Sequence, residues 1–157
     1  MPRILVRMAT HLLKTEPSEY AYANLVKDGT CVWSGVSNPG ALIALRSMKK
    51  GDAAFIYHTG DERAIVGLAK VTRSAYADPA RPGQTDSGEP KFAVVDLAPV
   101  RQARTPYTLA EIKADRRFAE FALVTRGRLS VMAVPDDLAS LIREKTGLVT
   151  DSRKRPD

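Results

Sequence analysis

The side chains best suited to holding a ligand gather in a few short stretches. Cys31-Val32-Trp33-Ser34-Gly35-Val36-Ser37-Asn38 carries the only tryptophan of the chain. An indole can stack on a flat ring, and Gly35 lets main-chain N–H and C=O groups approach whatever lies there, so the stretch suits a nucleobase. Lys14-Thr15-Glu16, just before Pro17, offers an ammonium, a hydroxyl and a carboxylate. On an extended strand Lys14 and Glu16 project to one face and Thr15 to the other. Lys14 then suits a phosphate or a base acceptor, the plain alternative being a solvated pair with Glu16 worth about 0–1 kcal/mol. His58, between Tyr57 and Thr59, can donate or accept at a pocket edge. Arg128 and Ser130 share one face of an expected strand, where Arg128 can hold phosphate and Ser130 can hydrogen-bond a base, and Arg126 extends the basic rim. Each also has a structural reading: Trp33 and Tyr57 as core, Asn38 as a helix cap, His58 as a satisfied interior imidazole, Arg128 and Ser130 as an exposed strand face.

Other chemistries find little support. His11, His58 and Cys31 are the only soft or borderline ligands and have no paired spacing, so no metal site is expected. No glycine-rich phosphate loop is present, and no cofactor is expected. A single cysteine forms no internal disulfide and fits a reducing compartment, the cytoplasm. No apolar run reaches the ~18 residues of a membrane span, so no membrane partner is expected. The net charge of +6 favours an acidic partner such as nucleic acid, although Arg3, Arg7, Arg153, Lys154 and Arg155 place part of it at the ends.

These residues need a scaffold, and 157 residues with 44% hydrophobic content are enough for one core, expected as a monomer. Leu12 and Leu13 lead a strand into the turn at Pro17; Tyr22, Leu25 and Val26 recur at helical spacing between Ser18 and Lys27. Asn38-Pro39 is a helix start, with Ala41, Leu42, Leu45 and Met48 on one face. Ala53 to Tyr57 and Ala64 to Val71 read as antiparallel strands; Ala75 to Pro90, rich in proline and glycine, as a long mobile loop; Lys91 to Leu97 as a strand. Thr108-Leu109-Ala110-Glu111 has capping-box spacing and opens a helix of two or three turns. Arg128 to Val134 reads as a strand and Asp136 to Lys145 as a helix stopped by Gly147. About six short strands with four or five short helices predict a mixed α+β sheet curled toward a barrel. Residues 1–9 are expected to be a flexible extension, with Met8 an alternative start to Met1, 10–148 the domain, and 149–157 a flexible basic tail.

Taken together, Leu12-Leu13-Lys14-Thr15-Glu16-Pro17, Trp33-Ser34-Gly35-Val36-Ser37-Asn38, Lys50-Gly51-Asp52, Tyr57-His58-Thr59-Gly60, Ile65-Val66-Gly67, Tyr76-Ala77-Asp78-Pro79 and Arg128-Leu129-Ser130-Val131 resemble the EVE-domain family over about residues 10 to 145. The resemblance implies a PUA-like β-barrel of about six strands flanked by short helices, related to the YTH and ASCH domains. It also implies a pocket for a single base in DNA or RNA, with modified cytosines such as 5-methylcytosine the ligand class, reached by base flipping. Residues Lys14, Thr15, Glu16, Trp33, Ser34, Gly35, Val36, Asn38, Tyr57, His58 and Ser130 would then hold the base, and Lys14, Arg126 and Arg128 the phosphates. The chain departs from the family pattern at His11 and Pro39, where an aromatic is usual, and at Ser34 and Ser37, where Asp and Arg are favoured. Two other readings compete. ASCH-like relatives suggest an amidohydrolase acting on an acylated cytidine through Lys14, Thr15 and Glu16, with Asp52 or Glu62 as a second acid; the other is a protein-interaction domain with a vestigial pocket.

Overall fold

The computed structural model describes residues 8–149, and all its elements lie between Thr10 and Thr146. The expected extension at residues 1–9 and tail at residues 149–157 fall outside the described residues except for residues 8, 9 and 149, and so does the choice between Met1 and Met8. Six strands form one mixed sheet: β1 (Thr10–Thr15), β2 (Cys31–Trp33), β3 (Ala53–His58), β4 (Ala64–Ala77), β5 (Ala93–Thr108) and β6 (Val131–Val134). Their order is β2-β5-β4-β3-β1-β6, with β1 and β3 parallel and the other neighbours antiparallel. A parallel pair needs a crossover. Here the crossover contains α1 (Tyr22–Asp28), β2 and α2 (Pro39–Arg46), so the tryptophan stretch lies on the excursion between the two parallel strands.

The sheet curls because its longest ribbon is irregular. The β4–β5 pairing shifts register between Ile65 and Gly67, Leu68 and Ala69, Val71 and Arg73, and Arg73 and Tyr76. Each such irregularity bends the strand and increases its twist. Gly67 sits at the first of them, and a Cβ there would come within 2.5 Å of the Tyr22 ring, which lies across the strand and donates its hydroxyl to the Leu68 carbonyl at 2.6 Å. The curl leaves β2 and β6 as the two edge strands, with no ladder joining them, and places β2, the end of β1 and Ser130 just before β6 around one cavity. Helix α2 packs against β5 and β6 and spans this opening with Ala41, Leu42 and Leu45 buried. The fold is the expected PUA-like α+β class, built on a sheet that hydrogen bonds do not close.

Several elements differ from the sequence reading. α1 begins at Tyr22, leaving Ser18 to Tyr20 in a turn, and Val26 is exposed. β4 runs on to Ala77, and β5 starts at Ala93 and continues to Thr108, far past the expected end at Leu97. Pro99 hides that continuation, since proline normally ends a ladder; it is accommodated opposite Ala69, next to a register shift. β6 begins at Val131, so Arg128 and Ser130 do not share a strand face. A single 3-10 turn at Arg116–Phe118 and the helix α4 (Ala122–Thr125) are too short to show a period. The helix α3 (Leu109–Ala114) starts behind the Thr108 capping box as read but at six residues is shorter than the two or three turns expected, and α5 (Asp136–Thr146) ends at left-handed Gly147 as read. Among the described residues, no helix is long and apolar enough to cross a membrane.

Candidate functional site

The end of β1 forms one wall of the main cavity. Lys14 N–H donates to the Ser130 carbonyl (2.9 Å) and Thr59 N–H to the Thr15 carbonyl (2.9 Å), which fixes this end between the segment before β6 and the turn after β3. Beyond the strand, the Glu16 carboxylate accepts from the Ser18 N–H (2.9 Å) and hydroxyl (2.8 Å). These bonds hold the Glu16 carboxyl below its ordinary range. The turn they stabilise brings Tyr20 back onto the opposite wall, where its ring meets Trp33 edge to face at 6.3 Å and 79°. The Tyr20 hydroxyl donates to Asp28 (2.9 Å); burial first, then its neighbours Cys31 and Asp28, push the phenol pKa well above its usual value.

That opposite wall is β2 and the segment following it. Trp33 is 8% exposed and packs in the core while also lining the cavity. At that exposure most of the ring is core, not the open plate expected from its glycine neighbour. Gly35 has φ +82, with open space where a Cβ would stand. Glycine is thus needed there for its left-handed backbone and not for close approach. The rim is held from the 78–92 excursion: Arg81 donates to the Ser37 hydroxyl and the Val36 carbonyl, both at 2.9 Å, and its guanidinium lies 4.3 Å from the Phe92 ring centroid. The long loop expected here is present but pinned.

Between these walls lies a cavity of about 570 Å³. It brings together Lys14, Thr15, Glu16, Trp33, Ser34, Gly35, Val36 and Ser130 from the sequence-derived set. It adds Glu19, Tyr20, Cys31, Val32 and Ser37, which sequence reasoning did not select. Tyr20 was hidden by reading Ser18 to Lys27 as one helix; an aromatic so close behind Pro17 was the available signal. Burial raises the Cys31 thiol pKa, leaving it protonated at neutral pH.

The remaining expected residues lie elsewhere. Asn38 caps α2, accepting from Ala41 N–H at 3.0 Å, and with Arg126 and Arg128 lines a separate cleft of about 290 Å³. His58 is buried and accepts from Tyr22 N–H at its Nε2 (3.0 Å), which leaves Nδ1 as the donor to Glu62 (2.7 Å). The imidazole therefore fastens α1 to β3. Tyr57 is 3% exposed and lies on the far side of β1 from Trp33, with a second cavity. The Lys14 ammonium also points there, donating to the Gly127 carbonyl (2.9 Å) and sitting 5.7 Å from the Tyr57 ring centroid. Lys14 and Glu16 thus bond in different directions, and their expected mutual pair is replaced by these contacts. Neither proposed second acid lines the main cavity: Asp52 is buried against His11 (2.8 Å), and Glu62 is held by His58.

The described geometry agrees with what the chain is similar to. The model of the family described as the EVE domain matches residues 9–145. Human Thymocyte nuclear protein 1 is 33% identical over 128 residues, which are 71% of this chain and 56% of that protein. The chain therefore spans little more than half the length of this curated relative. Rpa0253 from Rhodopseudomonas palustris has a solved structure with TM-score 0.81 and 36% identity, covering 96% of this chain and 100% of that one. The human THYN1 protein, solved in complex with 5-methylcytosine-containing DNA, has TM-score 0.77 and 27% identity, covering 87% of this chain and 97% of that one. An ASCH structure from Zymomonas mobilis, 15% identical with TM-score 0.55 over 88% of this chain and 96% of its own, shares the fold alone.

Proposed function

This chain belongs to the EVE-domain family, and on that premise we propose that it binds nucleic acid by accommodating one modified, cytosine-type base in the cavity between β1 and β2. The observation that supports this most is the cavity itself: about 570 Å³, within the roughly 300–1,000 Å³ common for ligand sites, lined by an indole on one side and by Lys14, Thr15 and Glu16 on the other. The complex of human THYN1 with 5-methylcytosine-containing DNA supports the ligand class.

Thr15 and Ser130 stand beside the cavity with short polar groups that suit a base edge, although the Thr15 hydroxyl already donates to the Tyr20 carbonyl at 2.6 Å. A base inside so confined a cavity must leave its stack, so the reading entails base flipping or a single-stranded site. Arg126 and Arg128, in the neighbouring cleft, suit the flanking phosphates. The protein acts as a monomeric reader without chemistry, and its one cysteine fits the cytoplasm.

A panel of DNA and RNA oligonucleotides carrying unmodified, methylated or hydroxymethylated cytosine, titrated at two salt concentrations, tests the reading. A preference for one modified cytosine that Trp33→Phe reduces supports it. Equal affinity for every cytosine, unchanged by that substitution, rejects it.

A further inference from the structure

The second cavity, behind β1, encloses about 200 Å³ and shares Lys14 with the first. Besides Lys14 it is lined by Arg63 and Lys113, by Tyr57 and Leu109, and by Gly127, whose carbonyl takes one of the three ammonium protons of Lys14. Among the described residues, no carboxylate lines it. Asp61 and Glu62 line an adjoining cleft together with Arg63 and Lys113, Glu62 is engaged by His58, and the Glu16 carboxylate, held by Ser18, lies beside Gly60. Lys14, Arg63 and Lys113 thus line one small cavity, and an anion entering it meets the field of all three.

Arg63 carries a second mark. It is the described residue other than glycine with a left-handed backbone, φ 43, a conformation that glycine adopts without strain. The turn already uses Gly60 at φ +77. A long cationic side chain kept at a strained position, and lining a cavity together with two lysines, points to a role for the guanidinium. The volume lies below the range of a small-molecule site but admits a tetrahedral anion with water.

We infer that this second cavity is a phosphate site, in which Lys14, Arg63 and Lys113 hold a phosphodiester of the strand whose base enters the first cavity. The inference rests on the proposed base-binding reading for its ligand and on Lys14 for its position, since that residue forms the wall between the two cavities.

The test uses the full chain with Arg63→Gly and Lys113→Ala, singly and together. Three single strands of equal length are titrated across a salt series: one with a 5-methylcytosine, one unmodified and one abasic. Each substitution is expected to weaken all three and to flatten the dependence of log K on log salt by about 0.7 per cation removed. The ratio of methylated to unmodified affinity stays constant. Arg63→Gly relieves the backbone and keeps its melting temperature, so lost binding reports the charge. Unchanged salt slopes overturn the inference, as does a changed methylation ratio with slopes intact. Competition by inorganic phosphate at the site, with no effect of the substitutions on the abasic strand, also overturns it by assigning the site to a free anion. A wild-type protein with no methylation preference but with slopes that fall as stated removes the base reading and leaves the phosphate site standing; no binding of any strand removes both.

Discussion

Trp33 serves both the interior and the cavity, and substitutions can separate the two. Trp33→Ala is expected to lose about 3–5 kcal/mol in urea denaturation because it empties a core position. Trp33→Phe, which keeps most of the buried surface, should lose less and is the cleaner probe of binding. Arg81 holds the rim by a two-pronged contact that only a planar guanidinium makes, bridging the Ser37 hydroxyl and the Val36 carbonyl. Arg81→Lys should therefore behave like Arg81→Ala, with faster amide hydrogen exchange at residues 34–38 and little change in global stability. At this scale the sequence revealed the residues that sit next to each other in the chain: Trp33, Ser34, Gly35 and Val36 line the cavity together. It did not reveal Tyr20 or Arg81, which reach the site from other elements, nor that the Lys14 head would turn away from Trp33 toward Tyr57.

Elements whose ends carry their own chemistry were the legible ones. Asn38-Pro39 starts α2, and Thr108 and Glu111 bond reciprocally at the start of α3. The Thr108 N–H and hydroxyl hold the Glu111 carboxyl below its ordinary value. A lowered folded value means that this contribution is complete above the ordinary carboxylate range and disappears as pH falls through the lowered value. Glu111→Gln should flatten that part of the acid unfolding curve, and Thr108→Ala should cost about 0.5–2 kcal/mol at neutral pH. Elements whose extent depends on a partner were not legible. The second half of β5 contains Pro99 and Pro106 and exists because β4 lies beside it, so no local pattern announces it. Gly67→Ala tests how tightly that ribbon is packed: a Cβ within 2.5 Å of the Tyr22 ring should cost about 1–3 kcal/mol, read by denaturation.

For the molecule as a whole, composition and element order indicated a mixed curled sheet, while the site of its opening is a tertiary fact. The curl comes from accumulated register shifts, and the opening falls between the edge strands β2 and β6, beside a cavity lined by β2, the end of β1 and Ser130. Helix α2 is the brace. Leu45, fully buried on its inner face, should lose about 2–5 kcal/mol on replacement by alanine. If the brace sets the width of the opening, Leu45→Ala should also lower ligand affinity at temperatures where the protein remains folded, as seen by titration below its unfolding transition.

A sheet left unsealed has two raw margins of backbone donors and acceptors, the template on which chains recruit one another into fibres. Here those margins are kept short, Cys31–Trp33 on one side and Val131–Val134 on the other. Among the described residues, the gap between β2 and β6 is thus bordered by two strands of three and four residues, too short to template a long ladder with a second molecule.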